Sequence, residues 1–145
     1  MKQVFTWVGR VRGQGRPRFG NGHAYESKRD IEYKRTIRDL YVMRGCRHFG
    51  AAPISVTIDV ARHLPIGTPK RVRSVFDTQK PDVDNIAKAV LDALNGVAYD
   101  DDKQIISLLV RKFPRVNMDD RLDYLRVTIS SVDQQTIWPY VYIPE

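Results

Sequence analysis

Apolar residues recur along this chain with two periods, and the switch between them sketches a fold. Residues 53–62 alternate, with Ile54, Val56, Ile58 and Val60 on one side. A period of two belongs to a half-buried strand. Residues 3–9 read as another strand, with Val4, Thr6 and Val8 on one side and Phe5 and Trp7 on the other. Residues 104–113 and 122–131 give two more. Residues 27–48 change to helical spacing: Ile31, Tyr33, Ile37, Leu40, Tyr41 and Met43 are the apolar positions, and Lys28, Arg29, Lys34, Arg35 and Arg38 crowd the rest. Residues 82–95 form a second helix, with Val83, Ile86, Ala87, Val90, Leu91 and Leu94 on one face. Asp82 suits its N-cap, Pro81 precedes it, and Asn95-Gly96 is a stop signal.

Two stretches have no period. Residues 10–24 are rich in Gly and Arg and include Pro17, and residues 63–80 carry Pro, Arg and Lys. Both read as loops. The tail after Val132, with Ile137, Trp138, Tyr140 and Tyr142, reads as an edge strand or a packing arm that could serve an interface between copies. The order β-loop-α-β-loop-α-β-β predicts an α+β fold, two main helices against a mixed, largely antiparallel sheet. At 145 residues one domain with one core is expected, covering 1–145.

Composition narrows the chemistry. No apolar run approaches a membrane span, and the basic N-terminal stretch has no continuous apolar core of a signal peptide. The single cysteine, Cys46, allows no internal disulfide; a cytoplasmic setting and a packing role for the thiol are the expectation. The net charge is +7, unevenly spread. Residues 1–50 hold twelve Lys and Arg against four Asp and Glu, whereas residues 82–102 hold six Asp and one Lys. Cationic walls around an acidic island suit a protein that grips a phosphate backbone and cuts it with metal-bound water.

The island has internal order. Asp84, Lys88 and Asp92 lie at i, i+4 and i+8 on the polar face of the second helix, where ion pairs with the lysine are the plain structural reading. Asp100, Asp101 and Asp102 follow a short connection that must fold back near that helix. Carboxylates gathered without a cation repel one another, and a divalent ion relieves the repulsion. Oxygen donors without His or Cys point to Mg²⁺ or Mn²⁺ rather than zinc. A calcium EF-hand is a poor match, because helix begins immediately after Asp82-Val83-Asp84. No phosphate-binding Gly-rich loop is present, which disfavours a nucleotide-handling enzyme.

Pro81-Asp82-Val83-Asp84-Asn85, then Lys88, then Leu91-Asp92-Ala93-Leu94-Asn95-Gly96, then Asp101-Asp102-Lys103-Gln104-Ile105 resembles the signature of the RusA family of Holliday junction resolvases. The stretch from Gly13 to Arg18, with Tyr25, is similar to that family's opening, and the resemblance spans roughly residues 3–112. It implies a dimeric, Mg²⁺-dependent endodeoxyribonuclease that nicks four-way junctions in symmetric pairs during recombination and repair, in a bacterial or phage-encoded setting. It also implies that Asp82, Asp84 and Asp102 are catalytic metal carboxylates supported by Lys88. Three consecutive Asp leave Asp101 as the alternative ligand in a register shifted by one. Arg10, Arg12, Arg16, Arg18 and Lys80 are the leading phosphate contacts, with Lys28, Arg35, Arg71 and Arg73 further candidates. Two other readings stand beside this one: a nuclease for flaps or D-loops, and a non-catalytic structure-specific DNA-binding module.

Overall fold

The strict alternation of residues 53–62 produces an interior strand, and the remaining elements assemble around it. The structure, a computed structural model, describes residues 1–133, so the expectation for the tail, Ile137, Trp138, Tyr140 and Tyr142 included, lies outside the described residues. In chain order the elements are β1 (Lys2–Gly9), β2 (Arg18–Gly20), β3 (His23–Tyr25), α1 (Lys28–Met43), β4 (Ile54–Ala61), β5 (Ser74–Val75), α2 (Val83–Leu94), β6 (Ile105–Lys112), β7 (Arg115–Val116) and β8 (Asp123–Ser131). The main sheet runs β1-β8-β4-β6. β8 pairs antiparallel with both β1 and β4, while β4 and β6 are parallel and joined through α2. The fold is therefore α+β with a mixed, mostly antiparallel sheet and two helices.

Both helices cover one face of that sheet. Ile54, Val56, Ile58 and Val60 of β4, Leu125, Val127 and Ile129 of β8, and Phe5 and Trp7 of β1 are buried against them. α1 contributes Tyr33, Ile37 and Tyr41 at four-residue intervals, one helical stripe. Trp7 meets Tyr33, and Phe5 meets Tyr41, in edge-to-face contacts at 5.2 and 5.6 Å. The opposite sheet face mixes polar side chains with the half-exposed Val4, Val8 and Leu109. There Arg111 makes a bidentate pair with Asp59, which Arg126 also approaches.

Three local differences from the sequence reading have physical reasons. α1 ends at Met43 rather than near residue 48, because Gly45 takes a left-handed φ of 67° and turns the chain out of the helix. Ile31 and Met43 lie off the buried stripe of Tyr33, Ile37 and Tyr41 and face solvent. Within the expected loop 10–24, β2 and β3 form a small hairpin. Asn21 (φ 52°) and Gly22 (φ 75°) supply the two left-handed residues that a tight hairpin turn requires.

Candidate active site

α2 carries the first part of the site. Asp82 occupies its N-cap, as expected, yet its side chain makes no capping bond to the helix backbone. Instead its carboxylate accepts a hydrogen bond from the Asn85 amide at 3.0 Å. That bond, helped by Lys80 and an interaction with Asp84, holds the Asp82 carboxyl below the usual carboxylate range. Asp82, Asp84 and Lys88 are all exposed. Lys88 makes no ion pair among the described residues: Asp92, its expected partner, pairs with Lys34 of α1 at 3.4 Å, and Lys34 also binds Glu26. The lysine is thus free to meet an incoming anion.

The Asp triplet is anchored separately. Tyr99 is fully buried and donates to the Leu91 carbonyl at 2.8 Å, which docks the loop under the C-terminal half of α2. Asp101 caps a single 3-10 turn, Asp102–Gln104, in a reciprocal capping box with Gln104. Gln104 in turn donates to the carbonyls of Gly50 and Ala52. Asp101 is held low by the Lys103 amide, whereas Asp102 is raised by partial desolvation and by the neighbouring Asp101 and Asp92 charges.

The fold-back expected from the sequence occurs: Asp102 lies close enough to α2 to feel the charge of Asp92. Asp84 and Asp92 are eight residues apart, roughly 12 Å along the helix axis. Among the described residues no three carboxylates, imidazoles or thiols converge into one metal cage within a chain. The exposed pair Asp82 and Asp84 nonetheless fits a hard cation such as Mg²⁺, which takes one or two carboxylates and completes its shell with water and substrate phosphate.

Beside Asp82 opens a cleft of about 690 Å³, lined by Arg10, Arg12, Arg16, Arg18, Arg29, Lys80 and Asn85 among others. Its wall, Gly13-Gln14-Gly15, is clamped between the helices. The Gln14 amide donates to the Asn85 carbonyl at 2.9 Å, and Arg12 reaches the buried Asp30 of α1 at 3.5 Å. A Cβ on Gly13 would lie 2.8 Å from that of Pro81 and 3.0 Å from that of Asn85. A Gly13→Ala protein should therefore stay folded and push the arm off the start of α2. We expect weaker junction binding and slower cleavage together; unchanged values for both in parallel binding and nicking assays would contradict the clamp.

A second support was not legible in the sequence. Lys112 sits on the apolar side of β6, where the alternation predicts an aliphatic residue. Its ammonium donates to the Gln79 carbonyl at 2.6 Å and the Pro81 carbonyl at 2.9 Å, and lies 3.5 Å from Asp77. The Asp77 side chain is fully buried and bonded to Nε and a terminal nitrogen of Arg62, and Arg115 binds the Gln79 side chain. The backbone leading into Asp82 is thus strapped to the ends of β4 and β6. The only trace of this in the sequence is the break in the apolar pattern at Lys112. Cys46, by contrast, is half-buried with its thiol pushed up by burial, in keeping with a packing role.

The family model described as "Endodeoxyribonuclease RusA" matches residues 9–123, which include the arginine arm, both helices and every acidic residue discussed. The chain belongs to the RusA family. A protein of Bacillus subtilis (strain 168), named "Uncharacterized protein YqaN", is 32% identical over 130 residues, covering 79% of this chain and 92% of its own length. As a RusA-family endodeoxyribonuclease, the chain hydrolyses DNA, and the family's substrate is the Holliday junction. Among the described residues no helix is long and apolar enough to cross a membrane.

Proposed function

We propose that this chain resolves four-way junctions by paired, symmetric, Mg²⁺-dependent nicks. The observation that carries this reading is the opening of the arginine-lined cleft directly onto Asp82, so that a phosphate backbone lying in it meets the carboxylates. Asp82 and Asp84 would hold the ion, with Mn²⁺ as a substitute. When bound, it supplies a water of lowered pKa and stabilises charge on the phosphoryl oxygens. Lys88, one turn after Asp84 and unpaired, meets the phosphate from the side. Asp102, with Asp101 and Asp92, provides a second carboxylate group further along α2, and its requirement for cutting is part of the proposal. In-line attack leaves a 5′-phosphate and a 3′-hydroxyl that a ligase can seal.

Two equivalent cut points call for two equivalent sites, so we infer a two-fold homodimer. The outer edge of the sheet supports this: β6 presents Ile106, Leu108 and Leu109, each about half exposed, and among the described residues no strand pairs with it on the side away from β4. Two copies of such an edge can pair antiparallel across a two-fold axis. The setting this reading requires is the DNA-containing cytoplasm.

The test is a labelled four-way junction and a linear duplex of matched sequence, each with Mg²⁺ or with EDTA. Ligatable nicks in the junction alone, dependent on Mg²⁺, are expected. Equal cutting of flaps or D-loops in competition would broaden the substrate class, and binding without cutting under any metal would leave a DNA-binding module. Binding should also weaken steeply with salt, because each neutralised phosphate releases counterions. Arg16→Ala and Arg18→Ala should each lower the slope of log affinity against log salt by about 1. An unchanged slope in both would remove these residues from the interface.

A further inference from the structure

Phe19 is 81% exposed, an expensive position for a benzyl group on a protein surface. It stands on β2 of the small hairpin, whose register pairs Arg18 with Tyr25, Phe19 with Ala24 and Gly20 with His23. Side chains alternate across the ribbon, so Arg18, Tyr25 and His23 share one face. The Tyr25 ring lies over Gly20 on that face, where a Cβ on the glycine would be 3.0 Å from the ring. The other face holds only Phe19 and Ala24, and an alanine cannot cover an aromatic ring.

Core formation does not explain this residue, since Phe19 is no part of the buried cluster. A two-stranded ribbon gains little stability on its own. Cations are close by in the chain: Arg16 and Arg18, within three residues before it, line the cleft that reaches Asp82, as does Arg29, so the hairpin starts at that cleft and carries Phe19 on the face opposite Arg18. The tight Asn21-Gly22 turn makes the mount short and stiff. An exposed aromatic mounted beside a cation-lined cleft has the chemistry of a base-stacking wedge.

We propose that Phe19 inserts at the branch point and stacks on a base left partly unstacked where strands exchange, so that it selects branched over linear DNA. This rests on the junction reading above. A continuous duplex offers no such face without the cost of opening a base step, whereas a branch point has already met part of that cost. The arginines then supply affinity for any duplex, and Phe19 supplies the preference.

The experiment compares wild-type, Phe19→Ala, Phe19→Trp and Phe76→Ala proteins without metal. Affinities are measured for a four-way junction and a matched linear duplex, with 2-aminopurine placed at the branch point as a stacking probe. Phe76, 83% exposed but on the loop before Asp77, is the control for loss of any surface aromatic. Phe19→Ala should weaken junction binding by about 10-fold, leave duplex binding within about 2-fold, and abolish the fluorescence change. Phe19→Trp should retain all three. The substituted side chain is solvent-exposed, so folding is not at stake, and a melting curve checks it. Equal losses on both DNAs, an unaltered preference in Phe19→Ala, or a loss caused by Phe76→Ala instead would each overturn the wedge. A wild-type protein with no preference for the junction would overturn the branched-substrate reading itself, a result distinct from those three.

Discussion

Asp82→Asn and Asp84→Asn proteins should bind a four-way junction as tightly as the parent and cut it on the order of 10³-fold more slowly. Both side chains are exposed and neither supports the core, so the melting temperature should hardly move. Asn keeps the size of the side chain and, at position 82, an oxygen for the Asn85 amide. What it removes is the negative charge that attracts a hard cation. Asp102→Asn should also stop cutting, and here the geometry sharpens the test. Asp102 feels the charges of Asp101 and Asp92, and it stands on a different element from Asp82 and Asp84. If Asp102→Asn cuts at the parent rate while Asp82→Asn is dead, the ion rests on Asp82 and Asp84 alone. Retained cutting in both Asp82→Asn and Asp84→Asn would sink the assignment of the metal site. Titration of Mn²⁺ into each protein separates loss of the ion from loss of chemistry.

The largest expected stability effect belongs to Asp77→Ala. The Asp77 side chain is fully buried between Arg62, Lys112 and, further off, Arg115. Removing it strands buried cations, and breaking a pair of this kind costs about 3–5 kcal/mol. For a chain of this size that corresponds to a fall of roughly 10 °C in melting temperature. Burial by itself would raise the Asp77 carboxyl, but Arg62, then Lys112 and Arg115, outweigh it and hold it below its ordinary 3.8. A depressed carboxylate contributes stability above its unfolded pKa and loses it as pH falls through the folded value. The wild-type contribution should therefore be intact in mild acid and decline only below the ordinary carboxylate range, and the Asp77→Ala protein should lack that decline. Denaturant melts across pH 3–7 read both quantities. A melting temperature within a degree or two of the parent would show that the strap before Asp82 carries no stability.

The elements legible in the sequence were those whose signal is local. α2 could be read from its apolar stripe because the buried residues Ile86, Val90 and Leu94 share one helical face. β4 was visible for the same reason, with period two. The hairpin β2–β3 also had a local signal, Asn21-Gly22, but the surrounding arginines and glycines masked strands of only three residues. Other features depend on which elements meet in space. Nothing in the spacing of Asp92 and Asp102 reveals that Tyr99 hooks the triplet under the far end of α2. Nor does it reveal that Lys34, from a different helix, takes Asp92 from Lys88. The acidic residues can be named from the sequence; which of them stand near one another is a tertiary fact.

The sheet order has a consequence for synthesis. β8, the last of the described strands in the chain, lies between β1 and β4 and hydrogen-bonds to both. Until residues 123–131 have left the ribosome, the first strand of the sheet has no partner and the core is open on one side. Contacts this distant in sequence form slowly, and the earlier segments must wait with apolar faces uncovered. A nascent chain that already carries its arginines and its aspartates still lacks the scaffold that aligns them. The nuclease needs β8 to assemble, so a product truncated before residue 123 would be an inert and short-lived polypeptide instead of an unregulated cutter of DNA.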